Sequence, residues 1–129
     1  MVILLDYKYV RAMFLIYDTE TTGLPKNWNA PLTDSENWPR IVQLAWQLHD
    51  ENGKLLSRGN RIIKPDGFTI PFQSVKVHGI TSEIAQEEGL PLKEVIEEFS
   101  KDLGRATYVI GHNIEFDVSV LGAELHRLG

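Results

Sequence analysis

Apolar side chains recur in this chain with two different periods, and this change of period limits the fold more than any other feature. Between residues 42 and 48, apolar and polar side chains largely alternate, which is typical of a strand with one buried face. Between residues 92 and 103 the apolar spacing is helical, and it places on one face Leu92, Val95, Ile96, Phe99 and Leu103. Both patterns in one chain predict an α/β fold in which helices cover a sheet.

The first half of the chain predicts three antiparallel strands. Residues 13–17 form an uninterrupted apolar run, which predicts a short central strand buried on both faces. A polar stretch rich in turn formers follows, up to Pro39, and we expect it to be a loop. After the strand at 42–48, residues 50–53 predict a hairpin turn, with a return strand from about 54 to 63.

The second half predicts helices around one more strand. After a linker, Thr81 is expected to cap a short helix that stops at Gly89, and a longer helix runs from Pro91 to Gly104. Residues 108–110 predict a short buried strand, parallel to the first. In the last helix the expected apolar face consists of Ile114, Val118, Leu121, Leu125 and Leu128. The prediction is a mixed sheet with helical cover.

Composition limits the partners. A chain of 129 residues that is 43% hydrophobic can bury one core, so we expect one domain. With a net charge of -5, the protein is not expected to have the basic surface that binds a long stretch of nucleic acid, so any such contact should be short. The absence of cysteines excludes thiolate metal sites, and the apolar start at residues 2–5 is too short for a membrane span. We expect a soluble, cytoplasmic protein with no membrane association.

Asp18 and Glu20 are two positions apart at the end of the first predicted strand. Their side chains therefore project to the same side of the backbone. Two adjacent carboxylates repel each other, and either a raised pKa or a bound cation relieves this repulsion; oxygen ligands favour Mg²⁺ or Mn²⁺. The alternative is an ordinary surface pair at the end of a strand.

A second polar cluster, residues 111–117, separates the last predicted strand from the last helix. Asn113 is expected to cap that helix, which leaves Asp117 in its opening turns. Because ligands of α/β sheets bind at the carboxyl ends of strands, Asp117 is expected to converge with Asp18 and Glu20. The alternative is that Asp117 only interacts with the helix dipole.

Together these residues resemble a known family. The sequence Asp-Thr-Glu-Thr-Thr-Gly-Leu-Pro at 18–25 resembles the first motif of the DEDD-superfamily exonucleases, in particular the proofreading epsilon subunit of DNA polymerase III. Gly-His-Asn at 111–113 and Phe-Asp at 116–117 resemble the second motif, and Val-His-Gly-Ile-Thr at 77–81 matches a signature between them. The resemblance covers residues 13–129. It implies a ribonuclease H-like fold in which Asp18, Glu20 and Asp117 hold two Mg²⁺ or Mn²⁺ ions. The implied reaction releases nucleotides from a 3′ end by hydrolysis of phosphodiester bonds.

The same resemblance implies a set of nucleotide contacts. In the family, the residues after the Asp-x-Glu pair lie against the terminal nucleotide. Two further positions that contact the substrate correspond to His78 and Gln73 here. Glu is usual in the family at the position of Gln73. Alternatives are a helix-entry histidine for His78 and a core role for Phe116. The residues assigned to the nucleotide are Thr21, Thr22, Gly23, Gln73, His78, Asn113 and Phe116.

The chain departs from the family after Asp117. The family has a further motif with a fourth metal-binding Asp, preceded by a His that acts as general base or, in a sister branch, by a Tyr. No Asp follows Asp117 here, and we interpret His126 as a solvated helix residue. We therefore expect residues 13–129 to be a domain truncated at its C-terminus, weakly active or inactive alone, with residues 1–12 as an extension; the alternative is a naturally degenerate member of the family.

The resemblance also implies partners. The expected substrate is the 3′ end of single-stranded DNA, with RNA as an alternative, and the expected protein partner is a DNA polymerase subunit, in proofreading or repair. The rival hypothesis is a non-catalytic module that binds a nucleotide end or a polymerase.

Overall fold

A computed structural model describes residues 11–129. Residues 1–10, which make up most of the predicted extension, lie outside this range. The described part contains four strands and four helices, in the order β1 (Phe14–Thr21), β2 (Ile41–His49), β3 (Leu55–Ile62), α1 (Phe72–His78), α2 (Ser82–Glu88), α3 (Leu92–Leu103), β4 (Tyr108–Ile110) and α4 (Ile114–Leu128).

The strands form one mixed sheet in the order β3-β2-β1-β4. β1 pairs antiparallel with β2, and β2 with β3, whereas β4 runs parallel to β1. The predicted hairpin turn is stabilised by Asp50, whose carboxylate accepts hydrogen bonds from the backbone N–H groups of Asn52 and Lys54, each at 2.9 Å. The bond from Lys54 is the main reason that the pKa of Asp50 is lowered. The predicted mixed sheet is confirmed.

The main core lies between α3, α4 and one face of the sheet. At its centre the Phe99 ring lies 5.2 Å from the ring of Tyr17 and 5.3 Å from that of Trp46. The predicted apolar face of α3 is confirmed, because its five residues all belong to this core or pack against it. Trp46 also donates a hydrogen bond to the buried Asp102 at 2.8 Å, which ties α3 to β2.

Two predictions about strand burial are wrong. β1 is central, as expected, but only one of its faces is buried: Ile16 is 44% exposed, and Asp18 beside it is exposed as well. α3 and α4 pack on the other face. β4 is exposed along its whole length, because it lies at the edge of the sheet. Its Tyr108 ring stacks on the Phe14 ring at 5.4 Å.

The segment expected to be a linker contains the helix α1. Its seven residues bury only Ser74 and leave Phe72 and Val77 exposed, so they carry no apolar period that would predict a helix. The next helix, α2, begins as predicted, since the Thr81 hydroxyl accepts a hydrogen bond from the Ile84 N–H at 3.1 Å. Ala85 of α2 belongs to a small second core, which also contains Val42, Ile70 and Ile80, and Val75 of α1 packs against it.

The predicted apolar face of α4 is also partly wrong. Val118, Leu125 and Leu128 are about half exposed, whereas two acidic residues of this helix, Asp117 and Glu124, are buried. Polar partners described below make this burial of carboxylates tolerable. None of the helices within residues 11–129 is long and apolar enough to cross a membrane.

Candidate active site

The two carboxylates of β1 lie on the open face of the sheet. Asp18 and Glu20 alternate with the buried Thr19, so they project from the same face, as their spacing predicts. Asp18 is exposed and Glu20 is partly buried. Both lie past the last pair of the parallel ladder, Ile16 with Ile110, where β4 ends.

Asp117 approaches β1 from α4. It is 2% exposed, and its Oδ1 accepts a hydrogen bond of 2.6 Å from the Thr19 hydroxyl. Burial raises the pKa of Asp117; the Thr19 hydrogen bond opposes this, and the nearby charge of Asp18 raises the pKa further. Burial and the charge of Asp117 also raise the pKa of Tyr17, which therefore stays protonated. Asp117 is thus a buried carboxyl group close to a second negative charge.

Gly111 makes this approach possible. A β-carbon at this position would lie 3.0 Å from the Ile114 side chain, and 3.3 Å from both Asp117 Oδ2 and the Tyr17 carbonyl oxygen. These distances are shorter than ordinary van der Waals contacts. A side chain at position 111 would therefore force its neighbours to shift by a few tenths of an ångström, and glycine leaves room for Asp117 beside the strand.

Asn113 does not have the role that its position suggests. It precedes α4 at the N-cap position, but its side chain makes no capping hydrogen bond, so the predicted cap is wrong. Its backbone carbonyl accepts the N–H of Asp117 at 3.2 Å instead. The side chain is exposed and lies outside the cleft that contains the other six predicted nucleotide contacts.

That cleft, of about 480 Å³, lies between the end of β1 and α1. Glu20 forms part of its wall, so one carboxylate of the candidate site borders it. Leu24 and Val77 are exposed apolar residues of the same cleft. The predicted nucleotide contacts that line it are Thr21, Thr22, Gly23, Gln73, His78 and Phe116.

Hydrogen bonds fix the wall of the cleft after β1. The Thr21 hydroxyl donates to the Gly23 carbonyl at 2.7 Å, and Gly23 has a φ of +151°, which few other residues adopt. The Thr22 carbonyl accepts a 2.7 Å hydrogen bond from the Ser74 hydroxyl of α1. On its other side, Thr22 exchanges two hydrogen bonds with the backbone of Arg40, at 2.9 and 3.0 Å. The segment is therefore held from both sides.

His78 has an unsatisfied ring nitrogen. Its Nδ1 accepts a hydrogen bond from the Ile80 N–H at 3.1 Å, so in the neutral ring Nε2 carries the hydrogen. This Nε2 is buried and has no partner in the described part of the chain. A buried donor without an acceptor is costly, and an acceptor on a bound ligand would relieve that cost.

The donor set fits a hard divalent cation by its chemistry. Asp18, Glu20 and Asp117 provide only carboxylate oxygens, which Mg²⁺ and Mn²⁺ prefer. Burial beside Asp18 makes the charge of Asp117 unfavourable, and a cation would relieve this. Within residues 11–129, no three His, Asp or Glu side chains already form such a group. The convergence of Asp18, Glu20 and Asp117 on one metal site therefore stays a prediction.

Comparison with known proteins identifies the family. The family model for exonucleases, RNase_T, matches residues 15–129. The chain belongs to this exonuclease family. It is 33% identical over 116 residues to the 3′-5′ exonuclease DinG of Bacillus subtilis. That alignment covers 90% of this chain and 11% of DinG. It is 31% identical over 114 residues to the DNA polymerase III subunit epsilon of Rickettsia prowazekii, covering 88% of this chain and 44% of the subunit. The chain thus spans less than half of the length of these relatives.

Solved structures confirm the ribonuclease H-like fold. Exonuclease I of Methylocaldum szegediense superposes with a TM-score of 0.67 and 26% identity, over 84% of this chain and 22% of that protein. E. coli exonuclease I in complex with a dT13 oligonucleotide has the same TM-score and coverage at 21% identity, which supports the fold alone. The predicted resemblance to the DEDD exonucleases is confirmed.

Proposed function

We propose that this exonuclease domain removes nucleotides from the 3′ end of single-stranded DNA in a reaction that depends on two Mg²⁺ or Mn²⁺ ions. One observation carries the proposal. The cleft at the end of β1 contains six residues assigned to the nucleotide from sequence, and Glu20 of the carboxylate group forms part of its wall. A nucleotide bound there would present its phosphate to Asp18, Glu20 and Asp117.

Different residues of the cleft offer different kinds of contact to a nucleotide. The exposed side chains of Leu24 and Val77 offer apolar contacts to a base, and the partly buried ring of Phe116, which lies 5.6 Å from the Trp28 ring, adds an aromatic one. His78 Nε2 offers a hydrogen-bond donor to an oxygen of the nucleotide. Asp18, Glu20 and Asp117 would hold the ions, which when bound lower the pKa of an attacking water and stabilise the leaving 3′ oxygen.

The proposed substrate is DNA, held through few phosphates. The relatives are named as a 3′-5′ exonuclease and a DNA polymerase subunit, and one structural neighbour binds dT13. The net charge of -5 disfavours a long electrostatic contact. We propose a role in proofreading or repair, and a DNA polymerase subunit as protein partner, from the similarity to the epsilon subunit.

Titration with Mn²⁺ tests the metal site directly. Paramagnetic broadening of NMR signals is expected first for amides around Asp18, Gly111 and Asp117. Asp18→Asn keeps the shape of the side chain but removes its charge, so the Mn²⁺ concentration needed for broadening should rise about tenfold or more.

The matched control for this titration is Asp34→Asn, in the exposed loop after β1. It should leave the titration unchanged. An unchanged pattern in Asp18→Asn, or an equal effect in Asp34→Asn, would rule out the proposed site.

A further inference from the structure

Glu124 is a completely buried carboxylate that lies on α4 outside the proposed site. Its solvent exposure is 0%, and its partners are two arginines. Arg40 Nε donates to Glu124 Oε1 at 2.8 Å, Arg127 Nη1 donates to the same oxygen, and the Ile41 N–H lies 3.4 Å from Oε2. We refer to Arg40, Glu124 and Arg127 as the buried triad, after the buried Glu124; the side chains of Arg40 and Arg127 are 24% and 13% exposed.

The buried triad connects α4 to the loop that links β1 with β2. Arg127 Nη2 donates to the carbonyl oxygens of Ser35 and Trp38, both at 2.6 Å. Arg40 lies at the start of β2, and its guanidinium carbon is 4.4 Å above the centre of the Phe68 ring, in the loop after β3. The triad thus connects three separate segments of the chain, namely α4, the loop before β2 and the loop after β3.

Both sides of the proposed site depend on these segments. Asp117 and Glu124 are seven residues apart on α4, which is two helical turns, so they lie on the same side of the helix, about 10 Å apart along its axis. Any rotation of α4 that moves Glu124 also moves Asp117. On the other side, the backbone of Arg40 holds Thr22 in the wall of the nucleotide cleft.

We propose that Glu124 and its two arginines are positioning residues, which hold the Asp117 helix and the Thr22 segment in the arrangement that binds metal and nucleotide. This rests on the proposed function. A buried ion pair seldom stabilises a fold more than apolar side chains of the same size, because desolvation offsets the attraction between the charges. A role in stability alone is therefore a poor explanation for a fully buried carboxylate paired with two partly buried arginines. Their network of directional hydrogen bonds specifies one arrangement.

The test replaces the buried triad with apolar residues in Arg40→Met/Glu124→Leu/Arg127→Met. This variant retains volume and leaves no charge unpaired, so it is expected to fold. We expect the amide signals of Thr22 and Asp117 to shift and the Kd for Mn²⁺ to increase about tenfold or more, the range typical of residues that orient metal ligands. The matched control is Arg61→Met/Glu98→Leu, which removes the partly exposed pair between β3 and α3 and should change neither quantity.

Wild-type Mn²⁺ affinity together with unshifted Thr22 and Asp117 signals in the folded triple variant would overturn the proposal. If the wild-type protein binds no Mn²⁺, the proposed function fails, and the amide shifts alone then decide whether the triad positions these residues. If the triple variant does not fold, Glu124→Gln keeps one acceptor oxygen and the shape of the side chain. The same two measurements on that variant support or overturn the proposal.

Discussion

Replacing Asp117 with alanine is expected to lower the rate of nucleotide release about a thousandfold or more. The substitution removes a carboxylate from the proposed metal group, and a metal ion stabilises the transition state of phosphodiester hydrolysis by several kcal/mol. A loss of about 4 kcal/mol corresponds to a factor of about a thousand. The rate is measured on a 3′-labelled single-stranded oligonucleotide with Mg²⁺ or Mn²⁺. Since the sequence predicts a slow reaction, the assay of this chain uses long incubation times.

Two controls accompany that assay. Asp34→Ala, in an exposed loop, should keep the wild-type rate. Because Asp117 is also the acceptor for the Thr19 hydroxyl, circular dichroism and thermal unfolding must show that the Asp117→Ala protein is folded. A folded variant that retains more than about a tenth of the rate would contradict the assignment.

Phe99→Ala is expected to reduce the free energy of unfolding by about 3 to 5 kcal/mol, the range for truncating a buried aromatic residue. Phe99 is 1% exposed and contacts the rings of Tyr17 and Trp46, so its loss leaves a cavity between α3 and the sheet. Domains are usually stable by only about 5 to 15 kcal/mol, so this is a large fraction of the total. Urea unfolding measures it as a lower midpoint at constant slope.

The matched control is Phe72→Ala, the same substitution on α1, where the ring is 69% exposed. Its effect should stay within about 0.5 kcal/mol. Similar losses in both variants would mean that the packing described for Phe99 is not what stabilises the domain.

The spacing of apolar residues predicted those strands and helices that bury one face and are long enough to show a period. β2 and α3 satisfy both conditions, and both were predicted with their buried residues. β1 was misjudged because an apolar run does not show whether one or two faces are covered, and Ile16 is exposed although it belongs to that run. α1 was missed because seven residues with a single buried side chain carry no period.

The candidate site was predictable where it depends on spacing or on a motif. Asp18 and Glu20 share a face because they are two residues apart on a strand. The supporting contacts were not predictable, because they join residues far apart in sequence: Thr19 bonds Asp117 across 98 positions, and Arg40 bonds Glu124 across 84. The apolar residues of α4 predicted its buried face only in part, since buried carboxylates with polar partners resemble surface residues in sequence.

The central claim is that the chain contributes a metal-dependent 3′-to-5′ exonuclease site, and product order on a 5′-labelled oligonucleotide tests it most directly. Samples of this chain are taken over time with Mg²⁺, with Mn²⁺ and after chelation. The predicted result is a ladder of labelled products that shorten one nucleotide at a time, formed slowly and only with metal. Labelled mononucleotide as the first product, hydrolysis after chelation, or binding without hydrolysis would contradict the claim, and the last result would favour the non-catalytic module.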